Sequence, residues 1–230
     1  PTDADTEGPK ISFGKCFTFK QTWAFIVGKF MTDGGWGVFL FWTPAYLKSQ
    51  FNINPTDFQG MLLIFILYLI TMLSILGGKL PTVFINKGMN PYAGRMRAML
   101  IFAFFPLLAL FAQPMGVHSA WWPAILIGLA AAGHQAWSAN LYSVASDLFP
   151  KSLVGTITGI NGMAGGIGSF AINKFSGQLF DYADATQMTF MGLQGKPAGY
   201  FIIFCYCAVA YLCGWIILKT LVPKYNPVKL

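Results

Sequence analysis

The sequence reads as an all-α membrane protein with six transmembrane helices. Its 230 residues are 55% hydrophobic, 17% aromatic and only 10% charged, where soluble domains carry roughly 25% charged residues. Given about 20 apolar residues per crossing, six stretches are long enough: 21–48, 58–80, 97–114, 119–146, 152–179 and 199–221. The basic residues divide by side. With six crossings, one side would hold Lys10, Lys15, Lys20, Lys79, Lys87, Arg95, Arg97, Lys151, Lys219, Lys224 and Lys229, while the opposite loops hold Lys48 and Lys196. The positive-inside rule then predicts that both termini are cytoplasmic. The +7 net charge is therefore a matter of topology and not a nucleic-acid footprint. The expected organisation is a linker or N-terminal tail over 1–20, a transmembrane domain over 21–221 and a C-terminal tail over 222–230.

The first span, TWAFIVGKFMTDGGWGVFLFWTPAYL, carries Lys29 and Asp33 one turn apart. Each charge costs roughly 2.5–3.5 kcal/mol at the centre of a lone helix, so both are expected to face a bundle interior or aqueous cavity. At this spacing they can also pair with each other. Gly34, Gly35, Gly37 and Pro44 follow, which predicts a bend or unwinding in the outer half. The second span is almost wholly apolar, and the third has Pro106 at its middle, where a kink is expected.

In the fourth span, HQAWSANLY puts His134, Gln135, Ser138 and Tyr142 within an arc of about 100°, with Asn140 on another side. That arc is a polar stripe, and the two donors and one acceptor of the Gln135 amide suit a hydroxyl-rich ligand. The fifth span has Gly155 and Gly159, then Gly162 and Gly166, each pair at four-residue spacing, a pattern for close helix packing, together with Asn161, which needs a polar partner. Its GIGSFA run lacks the strand and βαβ unit that a dinucleotide fingerprint requires. The sixth span reads as aromatic at both ends with no buried charge. At 1.5 Å per residue, Asp33, His134 and Asn161 each fall roughly 15–20 Å from an end of their helix. A midplane site built by several helices, one of them interrupted by glycines, is the pattern of a secondary transporter.

Cys16, Cys205, Cys207 and Cys213 lack CxxC spacing and read as packing thiols. No HExxH or GxSxG is present, and the two histidines, His118 and His134, do not assemble a catalytic set. No enzyme activity, cofactor or metal is expected. A non-transporting scaffold built on the glycine-bearing helices is the alternative from another class.

Four stretches resemble the C-terminal half of major facilitator superfamily transporters, in the anion:cation symporter branch, and among them bacterial hexuronate transporters. They are the first span, the loop GGKLPTVFINKGMNPYAGRMR, GHQAWSANLYSVASDLFPKSLVG and GINGMAGGIGS, together covering most of residues 22–169. The resemblance implies that the spans are helices seven to twelve of a twelve-helix fold in a bacterial inner membrane. The N-terminal six-helix half, which in this branch carries the main coupling carboxylates and a substrate arginine, would lie outside this chain. The 230 residues then read as a fragment or split product of a full transporter. The resemblance places Lys29, Gln135, Ser138 and Asn161 at an organic anion, a hexuronate or related sugar acid imported with a proton. It places Trp36 and Trp137 on the sugar face or gate and has His134 lining the cavity. Asp33 pairs with Lys29 or assists coupling.

Overall fold

The structure is a computed structural model and describes residues 11–229. Helical segments join into six continuous rods among the described residues. In the first, α1 (Lys20–Gly37) passes through a π-helical turn (Val38–Trp42) into α2 (Thr43–Phe51). In the second, α3 (Phe58–Thr71) passes through a 3₁₀ stretch (Met72–Gly78) into α4 (Lys79–Asn86). In the third, α5 (Pro91–Ala103) passes through a 3₁₀ stretch (Phe105–Phe111) into α6 (Ala112–Gly116). The long helices α7 (Trp121–Leu148), α8 (Lys151–Thr186) and α9 (Lys196–Leu221) complete the set. Three rods, Phe58–Asn86, Pro91–Gly116 and Lys196–Leu221, are long and apolar enough to cross a membrane by length and composition alone. The other three carry the polar and glycine-rich stretches.

The expected distortion of the first span takes the form of the π turn directly after Gly37, with Pro44 following it near the start of α2. Pro106 likewise sits at the start of the 3₁₀ stretch of the third rod.

Two boundaries differ from expectation. The second span continues to Asn86 and the third begins at Pro91, so the predicted 81–96 loop shrinks to a turn. The cause is a helix start hidden in the loop: the Asn90 side chain accepts from the Ala93 N–H at 2.7 Å, with proline at the first helical position. Gly88, at φ +91°, makes the reversal. The chain is also not wholly helical. Thr189–Phe190 (β1) and Leu193–Gln194 (β2) pair antiparallel around Met191 and Gly192, both at positive φ, as a two-residue hairpin turn of this kind requires.

The rods pack around clustered cores. One, at the end where the described residues begin and end, is built on Phe25, Met99, Trp137, Leu141, Leu148 and Tyr211, and another, farther along, on Phe39, Tyr46, Ile127 and Phe204. The 222–230 tail is tied down in part. Tyr92 donates to the Val222 carbonyl, Gln21 donates to the Asn226 carbonyl at 2.8 Å, and the Val228 N–H caps the Leu148 carbonyl at 2.8 Å. Outward faces are apolar, with Phe58, Phe65, Ile75, Met163 and Phe170 all exposed, the surface expected of helices solvated by lipid tails.

Asn140 fixes a crossing. Gly77 lies so close to Ala136 that a side chain at Gly77 would overlap the Ala136 methyl. The buried Asn140 amide donates to the Gly77 carbonyl at 3.1 Å and to the Ala136 carbonyl at 2.8 Å. An interhelical hydrogen bond of this kind is worth about 1 kcal/mol. Asn140→Ala is expected to lower unfolding free energy by about that amount, read as a lower melting midpoint in detergent.

Candidate substrate site

Lys29 is the centre of the site. Its side chain projects from α1 toward α7 and is only 4% exposed. Its Nζ lies 2.9 Å from Asp33 Oδ1, donates to Ser138 Oγ at 3.0 Å, and stands 4.8 Å from the centroid of the Tyr142 ring. An ammonium has three donors. The Ser138 hydroxyl takes one, and the Asp33 carboxylate meets the ammonium as an ion pair without an aligned hydrogen bond, so donor capacity remains beside the aromatic face. The i, i+4 ion pair expected from sequence is thus present, and α7 supplies its polar surroundings.

Asp33 is approached from four helices. Lys29 reaches it along α1, and His134 Nε2 of α7 lies 3.9 Å from its Oδ1. Gly165 of α8 passes so near that a side chain there would overlap the carboxylate. From α9, Tyr206 and Tyr211 donate to the Met31 and Thr32 carbonyls at 2.7 and 3.0 Å. These phenols reach the α1 backbone because Gly34 and Gly35 lack side chains: a Cβ at Gly34 would stand 2.6 Å from the Tyr206 hydroxyl. The glycine pair therefore serves close approach as well as the bend.

His134 is buried. Its Nδ1 lies 2.7 Å from the Tyr211 hydroxyl, and the Trp36 ring lies flat on the imidazole with centroids 4.8 Å apart and planes 8° apart. Lys29, Asp33, Trp36, His134 and Ser138 are thus brought into one connected group. Gln135 lies on the same α7 stripe but is exposed, next to the face that Ser138 and Tyr142 border. Asn161 is fully buried on α8, and both polar atoms of its amide lack a partner among the described residues.

Two expectations are relocated. Trp137 is fully buried as a core residue, packed under Gly28 and edge-on to Tyr211. Gly155, Gly159, Gly162 and Gly166 have nothing within 4 Å of an added Cβ, whereas Gly165 and Gly168 make the close approaches to α1. Sequence reasoning missed Tyr206 and Tyr211. They interrupt an apolar span with hydroxyls that must be satisfied when buried, and that was the available signal. It also passed over Lys174, which with Ser169, Asn173, Phe41 and Trp42 lines a cavity of about 580 Å³ farther along the α1–α8 groove. That cavity contains none of the Lys29 group. Buried charge makes the Lys29 group the candidate, because only function or full compensation sustains it.

A sequence profile described as the Major Facilitator Superfamily matches residues 2–172, most of the chain. The chain belongs to the Major Facilitator Superfamily. It is similar to the hexuronate transporters of Escherichia coli strain K12 and of Escherichia coli O157:H7, at 26% identity over 180 residues in each case. Those alignments cover 75% of this chain and 39% of each relative, so the chain spans well under half the length of the curated relatives it matches. Membership of this family marks the chain as part of an integral membrane protein of a transporter family.

Proposed function

We propose that the chain forms helices seven to twelve of a twelve-helix transporter that imports a sugar-acid anion, a hexuronate or close relative, together with a proton. The observation that carries this is the Lys29 ammonium, buried yet with donor capacity left among Asp33, Ser138 and the Tyr142 ring. A substrate carboxylate supplies the missing acceptor, and a charge-assisted hydrogen bond of this type is about twice as strong as a neutral one. Gln135, exposed on the adjoining turn of α7, meets the hydroxyls, and Trp36 offers an aromatic face. His134 lines the cavity, and Asn161 contributes from α8. An N-terminal six-helix half completes the cavity and rocks against this one. The open glycine edge of Gly155, Gly159, Gly162 and Gly166 suits close packing against it. The lysine and arginine asymmetry supports an inner-membrane protein with both termini cytoplasmic.

The test is uptake of labelled glucuronate by transporter-deficient cells expressing the complete transporter across a range of external pH. Saturable uptake that rises on acidification supports the reading, and uptake equal to the empty vector sinks the hexuronate assignment. Gln135→Ala separates binding from folding, because the residue is exposed and its removal disturbs no packing. KM is expected to rise about tenfold, the effect of losing one hydrogen bond of roughly 1.4 kcal/mol, with surface expression unchanged.

A further inference from the structure

Where α1 begins and α9 ends, the tail builds a polar cavity that shares no residue with the Lys29 group. Three side chains pin the tail there, each donating to a main-chain carbonyl. Tyr92 takes Val222, Lys219 takes Pro223 at 2.6 Å and Gln21 takes Asn226 at 2.8 Å. The pinned tail and the first turn of α1 border a cavity of about 380 Å³, lined by Lys20, Gln21, Lys224, Tyr225 and Asn226 together with residues 221–223.

The wall of this cavity is rich in free donors. Lys20 and Lys224 are both exposed, and neither pairs with a carboxylate among the described residues. No aspartate or glutamate lines the cavity. The backbone N–H groups of Lys224, Tyr225 and Asn226 make no hydrogen bond among the described residues, whereas the carbonyls of Val222, Pro223 and Asn226 are already taken. The start of α1, which no side chain caps, adds to the positive potential. Two ammonium groups and several N–H donors around one space suit an anion with several acceptor oxygens, and a phosphate is that chemistry.

Depth favours a lipid as the source of that phosphate. The apolar rod Lys196–Leu221 ends at the rim of the cavity, so in a bilayer the site lies at headgroup level. Tyr225 on its wall and Trp23 in the first turn of α1 are both exposed, as aromatic residues at that level are. We propose that this cavity binds the phosphate of an anionic phospholipid, with Lys20 and Lys224 as its counter-charges. One headgroup held there ties the first rod to the tail that follows the sixth, while its acyl chains run along the apolar outer surface, where α9 exposes Val209 and Ile216. The site does not depend on the sugar-acid reading, since neither lysine belongs to the Lys29 group.

The test is titration of the complete transporter in detergent with dioleoyl phosphatidylglycerol, the affinity of the first lipid bound being read by native mass spectrometry. Dioleoyl phosphatidylcholine is the reference without net charge. The parent should prefer phosphatidylglycerol. Lys20→Gln combined with Lys224→Gln should weaken its binding about 25-fold, about fivefold for each lysine. Both residues are exposed, so the exchange leaves packing intact. Lys15→Gln combined with Lys87→Gln removes the same charge from exposed lysines outside the cavity and should leave the affinity unchanged. An unchanged affinity in the cavity variant, or an equal loss in both double variants, overturns the proposal. So does a parent that binds phosphatidylcholine as well as phosphatidylglycerol. Glycerol 3-phosphate carries the headgroup chemistry without chains and should compete about a hundredfold more weakly than the lipid, because it gains nothing from the apolar phase. Equal competition would assign the cavity to a soluble phosphate ester and overturn the lipid as its occupant.

Discussion

Lys29→Gln is expected to abolish saturable sugar-acid uptake, lowering the uptake rate at limiting substrate by at least a hundredfold. The change removes the cation that contacts both Asp33 and Ser138, and with it the charge-assisted bond offered to the substrate. A hundredfold corresponds to about 2.7 kcal/mol, within the range for losing one partner of a buried charged hydrogen bond. The same substitution leaves Asp33 buried without its counter-charge, and breaking a buried pair costs about 3–5 kcal/mol of stability. With Asp33 still 17% exposed in its side chain, the cost should fall at or below the lower end. Loss of uptake alone is therefore ambiguous between binding and folding.

The double variant Lys29→Gln with Asp33→Asn removes the ambiguity. It restores neutrality and should recover most of the lost stability, because an uncompensated charge, not a missing attraction, is what destabilises the single variant. Uptake should stay as low as in Lys29→Gln. Recovery of uptake in the double variant would mean that Lys29 serves only to neutralise Asp33 and that the anion is held elsewhere. Melting in detergent and uptake, measured on the same three proteins, decide between these outcomes.

Helical phase made part of this site readable. The 100° step put His134, Gln135, Ser138 and Tyr142 on one stripe and sent Asn140 to another side, and the structure has Asn140 bonded to Gly77 on the second rod. What phase does not contain is which edge of a stripe a neighbour covers. α9 covers the His134 edge through Tyr211 and leaves Gln135 exposed. The tyrosine hydroxyls signalled that partners were needed, but which partners was not readable, because they are main-chain carbonyls of α1 that no side-chain pattern announces. Asp33 and Lys29 were legible as a pair because both lie on one helix. The third party, His134, lies about a hundred residues along the chain, and only packing could bring it in.

The glycines of α8 give the second large prediction. Several small-residue ladders run along this helix, and four-residue spacing singles out two pairs, Gly155 with Gly159 and Gly162 with Gly166. The structure instead turns Gly165 and Gly168 toward α1, where α1 and α8 make the most extensive contact between elements. A Cβ at Gly168 would overlap the carbonyl group of Phe30, which is backbone inside α1 and cannot swing aside as a side chain can. Gly168→Val is expected to lower unfolding free energy by about 2–3 kcal/mol, the upper part of the range for an overpacked core, and to displace Asp33, one turn beyond Phe30, from Lys29 and His134. Gly162→Val, with nothing within 4 Å of its Cβ, should leave the melting of this half unchanged or slightly raised, since valine is a better helix former than glycine by a few tenths of a kcal/mol. In the complete transporter, however, Gly162→Val should cut uptake if that open edge meets another helix during transport. Thermal melting of both variants as this chain, followed by uptake in the complete transporter, separates glycines that build the half from glycines that let it move. Equal destabilisation of this chain by the two substitutions would show that α8 does not face α1 through Gly168.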